Sequence, residues 1–200
     1  PFPLDTVSKM TIGTIHSFCQ MMLKKHALLI HQSPNYRVLQ GLEKKKRLRN
    51  ILQNLCNDHR HHPPEWLTHC LSIWSMEQLR QLCFKAYDHR DTIGHWLNQG
   101  YYDVDNKSLE KCLGFKGIYD QTCDALKMMV DAFFKCIEAD KIQDDWLDHD
   151  DMLFKAYQLL AHVDWLRQQV QDQLQHIFVD EFQDTSPIQW KIVNLLCGDS

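Results

Sequence analysis

The stretch from His176 to Pro187 constrains the fold more than any other part of this sequence. Its first part, Ile177 to Val179, is short, β-branched and aromatic, which predicts a buried strand. Two acids, Asp180 and Glu181, follow at once. In an open parallel sheet, ligands bind beyond the carboxyl ends of the strands. The two acids are therefore predicted to lie at a ligand-binding edge.

A helix is predicted directly after the acidic pair. Ser186 has the character of an N-cap, since Pro187 would occupy the first helical position and Gln189 stands at the capping-box spacing. The whole unit is thus strand, acidic pair, short loop and helix.

Nucleotide hydrolysis is a chemistry that needs this layout. In P-loop NTPases an Asp at the end of a buried strand holds Mg²⁺, and a neighbouring carboxylate can orient or deprotonate the attacking water. Taken alone, an apolar run followed by Asp and Glu also fits a solvated strand end.

The longer string VDEFQDTSPIQW resembles the Walker B motif of the UvrD/Rep helicase superfamily, most closely its RecB-like and AddA-like members of the exonuclease V beta subunit type. The resemblance implies that Asp180 holds Mg²⁺ and that Glu181 acts on the attacking water. It also implies that Gln183 senses the nucleotide, so that all three residues contact ATP.

A second motif lies near the start of the chain. Met10 to Ile15 alternates and is rich in β-branched residues, which predicts a second strand leading into a helix. The string GTIHSFC resembles the DNA-contacting motif of the same superfamily. The resemblance implies that Thr14, His16, Ser17 and Phe18 contact single-stranded DNA. From the residues alone, His16 and Ser17 could instead cap the helix while Phe18 fills the core.

Between the two motifs, apolar residues recur at helical spacing almost throughout, which predicts a helical region inserted between two strands of one sheet. The resemblance implies a helical subdomain at residues 32–145, flanked by motor-domain segments at residues 1–31 and 146–200. The predicted fold is mostly α with a small parallel β element: a partial RecA-like P-loop NTPase α/β domain carrying a large all-helical insertion. Asp148 to Leu153 resembles the family element D-[FY]-D-D-L-L, with His149 in place of the aromatic residue.

Composition narrows the class of protein. The net charge of −4 and the pI near 6.3 give no global basic footprint, so any nucleic-acid surface must be local. None of the eight cysteines forms a C-x-x-C pair, and most fall at apolar helical positions. We therefore expect reduced core cysteines and a cytoplasmic, nucleoid-associated protein rather than a membrane protein.

Three charged or histidine-rich clusters have simpler interpretations than ligand sites. The basic run at residues 44–49 could contact DNA phosphates, but a solvated helix face is favoured. The histidines at residues 59–62 favour a surface loop over a metal site. The aspartates at residues 144–151 favour helix capping over a cation site.

The sequence contains no G-x-x-x-x-G-K-[ST] phosphate-binding motif. Together with this absence, the resemblance to the UvrD/Rep superfamily implies an internal piece of an ATP-dependent DNA helicase or helicase-nuclease subunit that translocates on single-stranded DNA in recombinational double-strand break repair. Its partners would be single-stranded or duplex-end DNA, the remaining helicase domains and a second subunit. Mg²⁺ and ATP would serve the parent protein, while the piece alone would bind neither and be inactive. The alternatives are a non-catalytic helical interaction module derived from a helicase and an unrelated helical domain.

Overall fold

The computed structural model describes residues 12–96, 102–114 and 120–198, and these residues are mostly helical. The α-helices are α1 (Ile15–Lys25), α2 (Gly41–Asp58), α3 (Glu65–Ile73), α4 (Met76–Asp88), α5 (Arg90–Ile93), α6 (Asn106–Leu113), α7 (Asp120–Asp144), α8 (His149–His162), α9 (Asp164–Gln173) and α10 (Pro187–Cys197). The strands are β1 (Arg37–Val38), β2 (Gly94–Trp96), β3 (Tyr102–Val104) and β4 (Trp146–Leu147). Short 3₁₀ turns occupy Ala27–Ile30 and Phe182–Asp184.

The chain forms two compact units. The first unit combines the residues up to Leu39 with those from Asp145 onward, and the second is the continuous segment Gln40–Asp144. The second unit therefore lies in sequence between two segments that together build the first.

Helix α8 is the centre of the first unit, because α1, α9 and α10 all pack against it. Its buried face includes Met152, Ala156 and Leu160, and α1 contributes Cys19 and Leu23 to the same apolar core. These positions recur every three or four residues, which places them on one side of each helix. The burial of that shared face joins the two chain segments of this unit.

A two-stranded parallel sheet also belongs to the first unit. Arg37 pairs with Trp146, and Val38 pairs with Leu147. The sequence analysis predicted a small parallel element, and the structure has one, but not between the predicted strands. Strands this short carry too little alternating pattern to be found from sequence.

The second unit is arranged around the long helix α7, against which α2, α3, α4, α6 and β3 pack. Its buried side chains include Met129, Phe133 and Ile137 of that helix. Strands β2 and β3 form a small antiparallel pair that the sequence analysis did not predict.

Most helix predictions are confirmed. The helical spacing of apolar residues between the two motifs predicted a helical region, and the structure contains helices there, including α2, α4, α7, α8 and α9. Ser186 caps α10 through a reciprocal capping box with Gln189, and Pro187 is the first helical residue, as predicted. Gly114 ends α6 in a left-handed conformation that glycine adopts without strain.

The two predicted motif strands are wrong as far as the structure describes them. Ile12 to Thr14 is irregular and Ile15 already belongs to α1, while Met10 and Thr11 lie outside the described residues. Ile177 to Val179 is irregular too, and no strand pairs with it in the described part of the chain. Phe178 is 75% exposed rather than buried. An apolar run becomes a strand only when a neighbouring strand takes up its N–H and C=O groups.

The cysteines are free thiols, as predicted. Cys19, Cys70 and Cys83 are buried, and burial raises the pKa of the Cys19 thiol to about 12 and that of Cys70 to about 11. These thiols therefore stay protonated at neutral pH and act as small apolar core residues. In the described part of the chain, no helix is both long enough and apolar enough to cross a membrane.

The core of the first unit gives a stability prediction. Leu160→Ala removes a fully buried side chain of α8, whereas Leu28→Ala alters a leucine that is 82% exposed. We expect the first change to lower the free energy of unfolding by about 2–5 kcal/mol and the second by less than about 0.5 kcal/mol. Urea titrations followed by circular dichroism measure both, and equal losses would contradict this packing arrangement.

Candidate functional site

The acidic segment after residue 179 is exposed to solvent. Asp180, Glu181 and Gln183 all have exposed side chains. The Glu181 N–H donates to the Asp180 Oδ1 at 2.9 Å, and Nε2 of Gln183 donates to Oε2 of Glu181. The three predicted site residues therefore form one hydrogen-bonded group.

Glu181 has an unusual backbone conformation. Its φ of 48° and ψ of 45° place it in the left-handed region, which residues other than Gly, Asn and Asp seldom occupy. The 3₁₀ turn Phe182–Asp184 follows directly, and its Asp184 N–H donates to the Glu181 carbonyl at 2.9 Å. This left-handed residue and the turn together give the chain its sharp change of direction between the acidic pair and α10.

The chemistry of this group fits a magnesium ion only in part. No cluster of three or more His, Cys, Asp or Glu side chains suited to a metal occurs within the described ranges. Asp180 and Glu181 do offer the carboxylate oxygens that Mg²⁺ prefers. Mg²⁺ in phosphate-transfer sites usually takes one or two carboxylates and completes its shell with water and substrate phosphates. The donor set is thus of the right kind, provided that phosphate oxygens supply further ligands.

The GTIHSFC segment forms the N-terminus of α1. Thr14 is the N-cap, and its Oγ1 accepts the Ser17 N–H at 3.1 Å. The Ser17 hydroxyl in turn donates to the Thr14 carbonyl at 2.7 Å. Capping is therefore present, but the pair is Thr14 and Ser17 rather than the expected His16 and Ser17. Both side chains remain exposed.

The two aromatic residues of the segment differ in their surroundings. Phe18 is half-buried and packs against the core of the first unit. It also lines a groove of about 380 Å³ between α1 and α9, together with Met21 and Val170. Packing against the core is the alternative that the structure favours for Phe18.

His16 stacks on His149, the first residue of α8. The ring centroids lie 4.4 Å apart and the ring planes differ by 26°. Burial lowers the pKa of His16, the nearby His149 lowers it further, and Asp150 partly opposes both effects. The neutral imidazole of His16 is therefore favoured at neutral pH. The sequence analysis noted His149 only as a departure from a pattern, because the distance between α1 and α8 cannot be read from spacing.

The N-terminus of α8 is fixed by two buried aspartates. The Asp148 N–H donates to the Asp151 carboxylate at 2.8 Å, and the Asp151 N–H donates to the Asp148 carboxylate at 2.9 Å. Of the aspartates at residues 144–151, the reciprocal box confirms the predicted capping role for Asp148 and Asp151.

Two residues of the basic run at residues 44–49 make contacts within the second unit. Arg47 forms a two-point ion pair with Asp140, at 2.7 Å for both contacts, and also pairs with Asp144. Lys44 lies over the Tyr87 ring, 5.0 Å from its centroid, and 3.8 Å from the Asp88 carboxylate. Lys45, Lys46 and Arg49 are exposed. These contacts match the helix-face interpretation better than a continuous phosphate-binding strip.

Comparisons with known proteins agree with the motifs. The sequence profile of a family described as UvrD/REP helicase N-terminal domain matches residues 2–200. The chain is 24% identical over 189 residues to DNA helicase II of Haemophilus influenzae, an alignment that covers 94% of this chain and 21% of that protein. It is 35% identical over 94 residues to a probable DNA helicase II homolog of Mycoplasma genitalium, covering 47% of this chain and 13% of the relative.

A eukaryotic relative is also similar. The chain is 24% identical over 190 residues to the ATP-dependent DNA helicase SRS2 of Saccharomyces cerevisiae, covering 94% of this chain and 14% of that protein. The chain thus spans about a fifth of the length of these relatives, or less.

The left-handed backbone of Glu181 predicts how glycine substitutions in this segment change stability. The comparison separates the relief of backbone strain from the loss of a side chain. Glu181→Gly relieves a left-handed conformation that costs a non-glycine residue about 1–2 kcal/mol, and this gain offsets the added entropy of the unfolded chain. We expect its free energy of unfolding to stay within about 0.5 kcal/mol of the parent or to rise. Asp184→Gly, in the adjacent 3₁₀ turn, should lower the free energy of unfolding by about 0.5–1 kcal/mol. Urea unfolding of both variants checks this, and an equal loss in both would show that residue 181 carries no strain.

Proposed function

Because the chain belongs to the UvrD/REP helicase N-terminal domain family, we propose that it forms part of an ATP-dependent DNA helicase that translocates on single-stranded DNA. The observation that carries this proposal is the ordered pair of motifs within one family match over residues 2–200. The first is the segment around His16, and the second is the segment around Glu181. The identities to DNA helicases over more than nine-tenths of this chain support the same proposal.

We assign the finer identity from the motif strings. VDEFQDTSPIQW and GTIHSFC favour a RecB-like or AddA-like protein that acts in recombinational double-strand break repair, working in the cytoplasm on DNA ends with a second helicase-nuclease subunit. The first compact unit would then be part of a RecA-like motor domain. The second unit, Gln40–Asp144, would be its helical inserted subdomain.

The residues of the acidic group would divide the work of ATP hydrolysis. Asp180 would hold Mg²⁺, which when bound neutralises charge on the phosphates. Glu181 would orient the attacking water and accept its proton. Gln183 donates a hydrogen bond to Glu181 in this structure, and that bond limits the orientations of the carboxylate. Thr14, His16 and Ser17 would contact the DNA strand, and Phe18 would support them from the core.

We further propose that these 200 residues do not hydrolyse ATP by themselves. The sequence has no G-x-x-x-x-G-K-[ST] loop, so no phosphate-binding cradle or P-loop lysine is present within it. Two exposed carboxylates would hold Mg²⁺ weakly without the phosphates. A second candidate function, a helicase-derived interaction module without catalysis, predicts that Glu181 is dispensable in the complete protein as well.

A substitution in the complete helicase separates the two candidate functions. Glu181→Gln keeps the size and most hydrogen bonds of the side chain but removes the proton acceptor. We expect DNA-stimulated ATP turnover to fall by about 10²- to 10⁴-fold, the usual contribution of a general base, with nucleotide binding retained. Steady-state ATPase assays and a fluorescent-nucleotide titration provide the two measurements.

Glu65→Gln is the matched control, because Glu65 is an exposed glutamate at the start of α3 in the second unit. It should leave turnover unchanged. Full activity of the Glu181→Gln variant would favour the interaction module. ATP turnover by the purified 200-residue chain, assayed beside the complete helicase, would contradict the proposed inactivity.

A further inference from the structure

The stacked pair of His16 and His149 joins two helix N-termini within the first unit. His16 lies in the first turn of α1, and His149 is the first residue of α8. Their centroid distance of 4.4 Å and interplanar angle of 26° describe nearly parallel rings in contact. His149 is exposed, whereas His16 is half-buried. One face of the His16 ring is therefore covered by a residue that lies 133 positions later in the chain.

Both rings start from backbone positions that are held in place. The buried box of Asp148 and Asp151 fixes the first turn of α8. The cap made by Thr14 and Ser17 fixes the first turn of α1. Helices α1 and α8 also pack against each other. The backbone on both sides of the stack is therefore held, and the ring of His149 occupies the space on one face of the His16 ring.

The electrostatics favour an uncharged His16 ring at neutral pH. Burial and the neighbouring His149 lower its pKa, while Asp150 raises it by less. A neutral imidazole offers a flat surface and one N–H donor, which suit an unpaired base better than a phosphate ion pair. The orientation of that surface decides whether a base can stack on it.

We propose that His149 is a positioning residue for the contact of His16 with single-stranded DNA: its ring holds the His16 imidazole in the orientation that a base meets. This inference rests on the proposed function, since it needs His16 to contact DNA. It also gives a role to the residue that departs from the D-[FY]-D-D-L-L pattern. A flat ring is kept at that position, and stacking on residue 16 requires only flatness.

Binding of the complete helicase to a fluorescein-labelled oligothymidylate, followed by fluorescence anisotropy, tests the inference. We expect His149→Ala to weaken binding about three- to tenfold, a part of the loss usually caused by removing a base-stacking aromatic ring. His149→Phe should restore binding to within about twofold of the parent. His162→Ala, which alters an exposed histidine at the other end of α8, should change nothing.

A nuclear magnetic resonance titration of the His16 ring protons supplies a readout that does not depend on DNA. His149→Ala should remove the ring-current shift of His16 and raise its pKa, because both the covering ring and a neighbouring positive charge are lost. His149→Phe should keep the ring-current shift. Unchanged His16 shifts in His149→Ala would overturn the stack and with it the inference.

The remaining outcomes distinguish this inference from the proposed function. If His16→Ala weakens DNA binding and His149→Ala does not, the positioning role is wrong while the DNA contact stands. If the complete helicase binds the oligothymidylate equally well with and without His16→Ala, the proposed DNA contact itself fails, and the positioning role falls with it. Weakening by His149→Ala together with rescue by His149→Phe supports both.

Discussion

The short parallel pairing of β1 with β4 is the constraint on which the first unit depends. The Arg37 N–H donates to the Asp145 carbonyl at 2.9 Å, and the Leu39 N–H donates to the Leu147 carbonyl at 2.9 Å. The Ser33 N–H adds a bond to the Asp145 carboxylate, also at 2.9 Å. These bonds join the segment that leaves the first unit to the segment that returns to it. Closing so long a loop costs entropy that grows only slowly with length, so a few bonds and a shared apolar core suffice to hold the ends together.

The segment that returns to the first unit also positions the candidate DNA-contacting residue His16. Leu147 ends β4, Asp148 caps α8, and His149 is the first helical residue. No flexible linker separates the paired strand from the helix. The register of the β pair therefore fixes where α8 begins, and α8 in turn fixes the ring that covers His16. The β pairing, the Asp148 cap and the His149 ring together thus determine the surroundings of His16 at the start of α1.

Sequence reasoning succeeded where structure is local and failed where it depends on a partner. Helices α4, α8 and α10 carry their own start signals in capping boxes, and their apolar stripes bury one face whatever the neighbour is. Ile177 to Val179 carries the composition of a strand but has no ladder partner in the described part of the chain. Arg37–Val38 and Trp146–Leu147 do pair, although two residues hold no readable alternation. The left-handed Glu181 was also beyond prediction, since glutamate gives no signal for that conformation.

The contact between His149 and His16 also depends on a partner distant in sequence. The sequence therefore showed His149 as a departure from the family pattern but not as a neighbour of His16. The D-[FY]-D-D-L-L pattern has an aromatic residue with a large apolar surface at this position. Histidine is more polar than Phe or Tyr, so it counts as a departure from the pattern. In the structure the ring at position 149 is exposed, so its apolar surface contributes little to burial. Stacking on His16 depends instead on ring shape and on a backbone anchored by Asp148 and Asp151. A histidine meets both requirements, and it adds a titratable neighbour whose charge disfavours protonation of His16.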